Sequence, residues 1–138
     1  MAEHFSTIAD RRKCGTLDAL LMMRDPADGA ISATTSTTAI EFNSRKVDHF
    51  RGILTHQAIA SVTPGTAEWT VAIEVSDTQT GTFTEIASQI LGADATEYEF
   101  GFTGAEIEDQ APTAAWMRLT ATKAGGVGDL SFGGWLTP

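Results

Sequence analysis

The chain has one cysteine, three histidines, four prolines and no apolar run near the roughly 20 residues that would span a bilayer. Cys14 alone can form neither an internal disulfide nor a cysteine-rich zinc site. Met1–Asp10 lacks a basic start followed by an apolar stretch, so the expectation is a soluble protein made without a secretory signal. Bases are scarce after Arg51: Gly52–Pro138 sets 11 acids against only Arg118 and Lys123, whereas Met1–Arg51 balances seven acids with seven bases. The whole formal charge of −9 therefore resides in the second part, which argues against broad attraction to nucleic acid or an anionic membrane. Solubility accounts for such an acidic body; a basic partner is the sharper reading.

At 138 residues the chain forms one domain, long enough to bury about 70% of its unfolded surface without staples. Helical periodicity is scarce, and short β-rich runs recur between Gly, Pro, Asp and Thr clusters. That pattern predicts an all-β sandwich or barrel of about seven or eight strands with at most one short helix. Glu68–Ser76 is the clearest strand, with Trp69, Val71, Ile73 and Val75 on one face and Thr70, Ala72, Glu74 and Ser76 on the other. Asp77–Gly81 reads as a five-residue hairpin loop into Thr82–Leu91, where broken parity at Phe83, Ile86 and Ile90 implies a bulge near Thr84–Glu85. Further strands are expected at Thr34–Phe42, Asp48–Ala60, Thr96–Phe102, Ala115–Thr122 and about Asp129–Leu136. Thr103-Gly104-Ala105-Glu106 resembles a helix start, with room for a turn or two before Pro112.

Reactive constellations are missing. His4, His49 and His56 show no metal-ligand spacing, and a regular strand turns His49 and His56 to opposite faces. Asp77, Gln79 and Gly81 superficially suggest a calcium loop, but the glycine is misplaced and no closing glutamate follows. No nucleophile elbow is present, Cys14 has no identifiable base despite Arg11-Arg12-Lys13 before it, and Gly125–Gly128 lacks the residues of a phosphate loop. Glu106, Glu108 and Asp109 favour a helix N-terminus and solvent over carboxylate-pair chemistry. The chain is expected not to be an enzyme and to use no cofactor or metal.

Met1 to about Ala33 departs from the strand pattern. Leu17, Leu20, Leu21, Met22 and Met23 are its apolar cluster, followed by the turn sequence Asp25-Pro26-Ala27-Asp28-Gly29. The expected division is an extended N-terminal arm, 1–33, and a sandwich domain, 34–138. The arm either buries its apolar side against a partner or lies as an edge strand or short helix on its own sandwich. Trp69 reads as core, while Trp116 and Trp135 are candidates for a subunit or partner interface, with burial under a loop of the same chain as the alternative.

The order of these signals resembles the jelly-roll capsid decoration, or cement, proteins of tailed bacteriophages, exemplified by the Bordetella phage cement family. The resemblance rests on Leu17–Met23, the Asp25–Phe42 stretch, the hairpin from Trp69 to Ala87, the Trp116-Met-Arg-Leu strand and Gly134-Trp135-Leu136. The Arg11-Arg12-Lys13 triplet lies outside that pattern. The resemblance implies a jelly-roll homotrimer, made in the host cytoplasm, on the outer surface of an icosahedral head, where it clamps neighbouring major capsid subunits. On that reading Leu20, Leu21, Met22 and Met23 make apolar capsid contacts, Arg11, Arg12 and Lys13 pair with acidic capsid residues, and Trp116 or Trp135 lies near an interface. Neither nucleic acid nor membrane is contacted directly. The alternative is a carbohydrate- or receptor-binding β-sandwich module of a phage appendage, which needs two or three aromatics coplanar on one exposed face.

Overall fold

The computed structural model describes residues 5–7, 22–42 and 49–137. In chain order the elements are β1 (Phe5–Thr7), β2 (Met22–Arg24), β3 (Thr35–Ser36), β4 (Ile40–Glu41), β5 (His49–His56), β6 (Glu68–Ser76), β7 (Thr84–Leu91), β8 (Thr96–Thr103), α1 (Gly104–Gln110), β9 (Trp116–Ala124) and β10 (Phe132–Thr137). All pairings are antiparallel. One sheet runs β1-β8-β5-β10-β2; the other runs β3-β9-β6-β7, with β4 also on β9. Facing each other, β2-β10-β5-β8 and β3/β4-β9-β6-β7 have the strand order of a jelly roll, two interlocked Greek keys in an all-β sandwich. Described strands number ten because the N-terminal part contributes several short pieces.

The strand period builds the core. On β6 the side chains of Trp69, Val71, Ile73 and Val75 are fully buried, as alternation requires, and on β9 Met117, Leu119 and Ala121 are as well. Opposite them stand Leu54 of β5, Phe100 and Phe102 of β8, and Phe132 and Leu136 of β10. Full burial of one such aliphatic or aromatic side chain contributes about 1.5–3 kcal/mol, so this layer is the main favourable term. Glycines set how closely it packs. A Cβ on Gly52 would stand 2.1 Å from the Phe100 ring, its register partner, and one on Gly134 would stand 2.3 Å from Leu119 Cδ1 across the sandwich.

Four local outcomes differ from the expected boundaries. The Thr34–Phe42 strand is split, because Thr37, Thr38 and Ala39 stand opposite only Arg118 and Leu119, and Thr37 uses both its amide and its hydroxyl on Leu119. The expected 48–60 strand ends at His56, where the chain leaves the sheet and Gln57 N–H donates to the Ser131 carbonyl. The hairpin loop spans residues 77–83, since Phe83 turns to the Arg118 guanidinium, 3.8 Å from its ring centroid, instead of pairing. The bulge falls at Ile86: Ile73 faces Ala87 and Glu74 faces Glu85, so Ile86 is the extra residue, and it enters the core. The helix cap forms as expected, with Thr103 Oγ1 accepting from Glu106 N–H at 3.2 Å.

The loops of one end lock together through main-chain bonds. Ile31 pairs with Leu130, Ile59 N–H donates to Ala93, and Gly128 N–H donates to Ala60. Trp69 Nε1 donates to Gly128 O at 2.7 Å, tying the largest fully buried side chain to this end. At Gly125 φ is +64° and an added Cβ would meet Thr66 O at 2.5 Å, whereas Gly126 has nothing within 4 Å. Gly125→Ala is therefore expected to cost about 1–3 kcal/mol in urea unfolding, and Gly126→Ala to stay within about 0.5 kcal/mol of the parent.

Candidate functional site

Of the residues expected to contact a capsid, Arg11, Arg12, Lys13, Leu20 and Leu21 lie outside the described residues, as do Leu17, Cys14 and His4. Met22 and Met23 are described, and they belong to the sandwich. They form β2, the edge strand beside β10, where Gly134 faces Arg24 and Trp135 faces Met22 so that Met23 is bulged between them. Met23 is 6% exposed and part of the inter-sheet core. For Met22–Arg24 the edge-strand alternative holds, and the sandwich begins earlier than residue 34. The physical reason is that β10 needs a second neighbour, and a short Met-Met-Arg strand supplies both hydrogen bonds and one core side chain.

The three tryptophans occupy three separate environments. Trp69 is in the core. Trp116 alternates with buried Met117 and lies, half-buried, on the outer face of the β3/β4-β9-β6-β7 sheet beside Glu41 and Ser76. Trp135 alternates with Gly134 and Leu136, which face the core, and so lies with its neighbour Ile53 on the outer face of the opposite sheet. Trp135 and Ile53 are nonetheless 9% and 3% exposed, and Trp135 Nε1 is buried with no hydrogen-bond partner. Trp135 is thus covered within the chain, not presented at its surface. Trp116 and Trp135 point away from each other, so the tryptophans do not make one coplanar platform.

No group of three His, Cys, Asp or Glu side chains converges on a possible metal position among the described residues. His49 is exposed at the start of β5 and His56 buried at its end. Asp77, Gln79 and Gly81 form the hairpin loop: Thr78 N–H donates to Ser76 Oγ, and Gln79 Nε2 reaches the Ala39 carbonyl at 3.3 Å. A cleft of about 390 Å³ opens beside α1, walled by Phe50 and Phe102 with His49, Arg51 and Thr103 at its rim. Two of its polar side chains are used in the fold, since Arg51 pairs with Glu99 and the Thr103 hydroxyl caps α1, and His49 and Glu106 also line it. Nothing there pairs a nucleophile with a base.

The described cations are all engaged internally. Arg24 Nε donates to Phe132 O at 3.0 Å with its guanidinium over that ring, and its Nη2 donates to Gly29 O. Arg51 holds Glu99, and Lys123 Nζ donates to Ser32 O. Arg118 sends Nε and Nη2 to Glu74 Oε2 at 3.1 and 3.0 Å and stacks on Phe83. This Glu74–Arg118–Phe83 cluster escaped the sequence reading, because only the β6–β9 register places Glu74 opposite Arg118. What the sandwich presents outward is mainly carboxylate and hydroxyl, with Arg51 exposed but paired to Glu99 and Ile90 on β7 as the exposed large apolar side chain among the described residues.

Met23 and Met22 give a direct check on these placements. Met23→Ala is expected to lower stability by about 2–5 kcal/mol in urea unfolding, and half-exposed Met22→Ala by clearly less. Comparison with protein-family models, with curated proteins and with solved structures finds no match to the chain.

Proposed function

We propose that this chain is a capsid decoration protein, a non-catalytic clip that binds the outside of a tailed-phage head as a homotrimer and joins neighbouring major capsid subunits. The observation that carries the reading is the jelly-roll strand order, on the same residues that resemble the cement proteins. Jelly rolls also serve as lectins and enzymes, so the chemistry of the surface has to separate these uses. Tryptophans divided among three environments disfavour a stacked sugar platform, and the absence of a convergent metal-ligating cluster among the described residues disfavours metal-assisted catalysis.

The physics of a clip is mass action. A protein that binds the assembled shell in preference to free subunits stabilises the shell by RT ln(1 + [L]/Kd), about 2.7 kcal/mol at a hundredfold excess over Kd. One small footprint holds weakly, and three linked footprints hold by raised effective concentration. In this reading Arg11, Arg12 and Lys13 meet acidic capsid residues, and Leu20 and Leu21 add apolar contacts. Met23 is excluded from that set by its place in the core. Trp116 remains the interface candidate of the two tryptophans, being half-buried on an outer face.

The test mixes purified protein with undecorated heads and measures co-sedimentation, with light scattering for the oligomer. A trimer that saturates heads is expected, and substituting Arg11, Arg12 and Lys13 by Ala together with Leu20 and Leu21 by Ser should weaken binding at least about tenfold while the sandwich stays folded. A monomer that leaves heads bare overturns the proposal. Truncation is the poorer test, because removing residues beyond 21 takes away β2.

A further inference from the structure

His56 is the last residue of β5 and is 2% exposed. Its Nδ1 is 2.7 Å from the Gln57 carbonyl, so Nδ1 carries the proton and Nε2 is left as a bare lone pair. That Nε2 is buried with no hydrogen-bond partner. Its ring lies stacked on Tyr98 of β8, centroids 6.2 Å apart, and Phe132 of β10 is its register partner. Of the charged and titratable groups on the packed elements, Tyr98 meets the ring, and Arg24 of β2 sits over Phe132. Glu97 and Glu99 alternate to the other face of β8, away from Tyr98 and Phe100. No carboxylate of these strands faces His56, and the cation of β2 stands on its side of the sandwich.

A proton at Nε2 would create a second N–H donor with no acceptor and a positive charge in apolar surroundings. Solvent relieves both only if the imidazole swings out, and that breaks its bond to the Gln57 carbonyl. Gln57 is where the chain enters the locked loop end, with its own N–H on Ser131 and Ile59 on Ala93 close behind. We propose that His56 is an acid-sensitive latch: proton uptake at Nε2 releases the Gln57 carbonyl and opens the loop end built from residues 57–67, 92–95 and 125–131.

Burial holds His56 below its ordinary value of 6.5, against the opposing pull of the Gln57 hydrogen bond. The sign follows by linkage. The closed form binds the proton more weakly than the open form, so opening is unaffected above pH 6.5 and becomes easier as pH falls below it, up to about tenfold per pH unit, until the closed form itself takes up the proton.

Amide hydrogen exchange followed by NMR from about pH 7 to about pH 5 tests this, once intrinsic exchange rates are divided out. The Ile59 and Gly128 amides should lose protection by up to about tenfold per pH unit, while the Val71 and Leu119 amides of the sheets lose less, and His56→Phe should abolish the difference. Unchanged protection at Ile59 and Gly128, an equal loss at Val71 and Leu119, or the same course in His56→Phe overturns the latch. Should His56→Phe fail to fold, the unaltered protein decides: loss of protection at Ile59 and Gly128 that sets in below pH 6.5 and levels off at the His56 imidazole midpoint supports the latch, and loss that ignores that midpoint, or a midpoint at or above 6.5, refutes it.

Discussion

Two β-sheets hold together only if every contributing strand keeps one continuous dry face, and the rest of this structure depends on β6 and β9 doing so. Their buried residues are large and branched where the facing sheet is thin, and the facing sheet is thin where Gly52 and Gly134 stand. Phe100 lies over the bare Cα of Gly52, and Leu119 reaches to that of Gly134. Side-chain bulk missing on one strand is filled from its neighbour or from across the core, which keeps the interior at crystalline packing density. Everything outside that layer, from the helix cap to the locked loops, is arranged around it.

Much of this frame was legible in the residue order, for an identifiable reason. Period-two alternation marks the core face of β6, so the bounds Glu68–Ser76 could be read to the residue, although Ala72 and Ser76 on its other face are buried as well, and Thr103 with Glu106 announced the start of α1. Features that depend on pairing were not legible. Thr37 looks like one more strand threonine until Leu119 is known to stand opposite it. Met22–Arg24 is too short to show any period, and its membership in a sheet is decided by β10, more than 100 residues away. His56 likewise carries no local signal of burial; its environment comes from β8 and β10.

The candidate contact surface was legible in one part and misleading in another. A run of Leu and Met reads as an adhesive patch, yet Met23 is spent on the core, since a short edge strand can anchor only by inserting a side chain. Trp135 reads as an interface candidate or as a side chain covered by its own chain, and it is covered. Charge behaves more simply. Arg24, Arg118 and Lys123 are each partly buried against a carbonyl, a carboxylate or an aromatic face, and Arg51, though exposed, is paired with Glu99, so the net acidity of the second part of the chain is also the character of its surface. Such a body resists nonspecific adhesion to polyanions and to its own copies, leaving specificity to short-range fit.

The position of β10 has a consequence for how the molecule comes into being. It lies between β2 and β5, so β2 is cut off from the rest of the five-stranded sheet until residues 132–137 are available to join them. Contacts of such long sequence separation carry a high loop-closure cost and make folding slow. β5 and β8 can pair as soon as both are made, whereas β2 finds its place in the sheet only once β10, more than 100 residues further along the chain, arrives between it and β5.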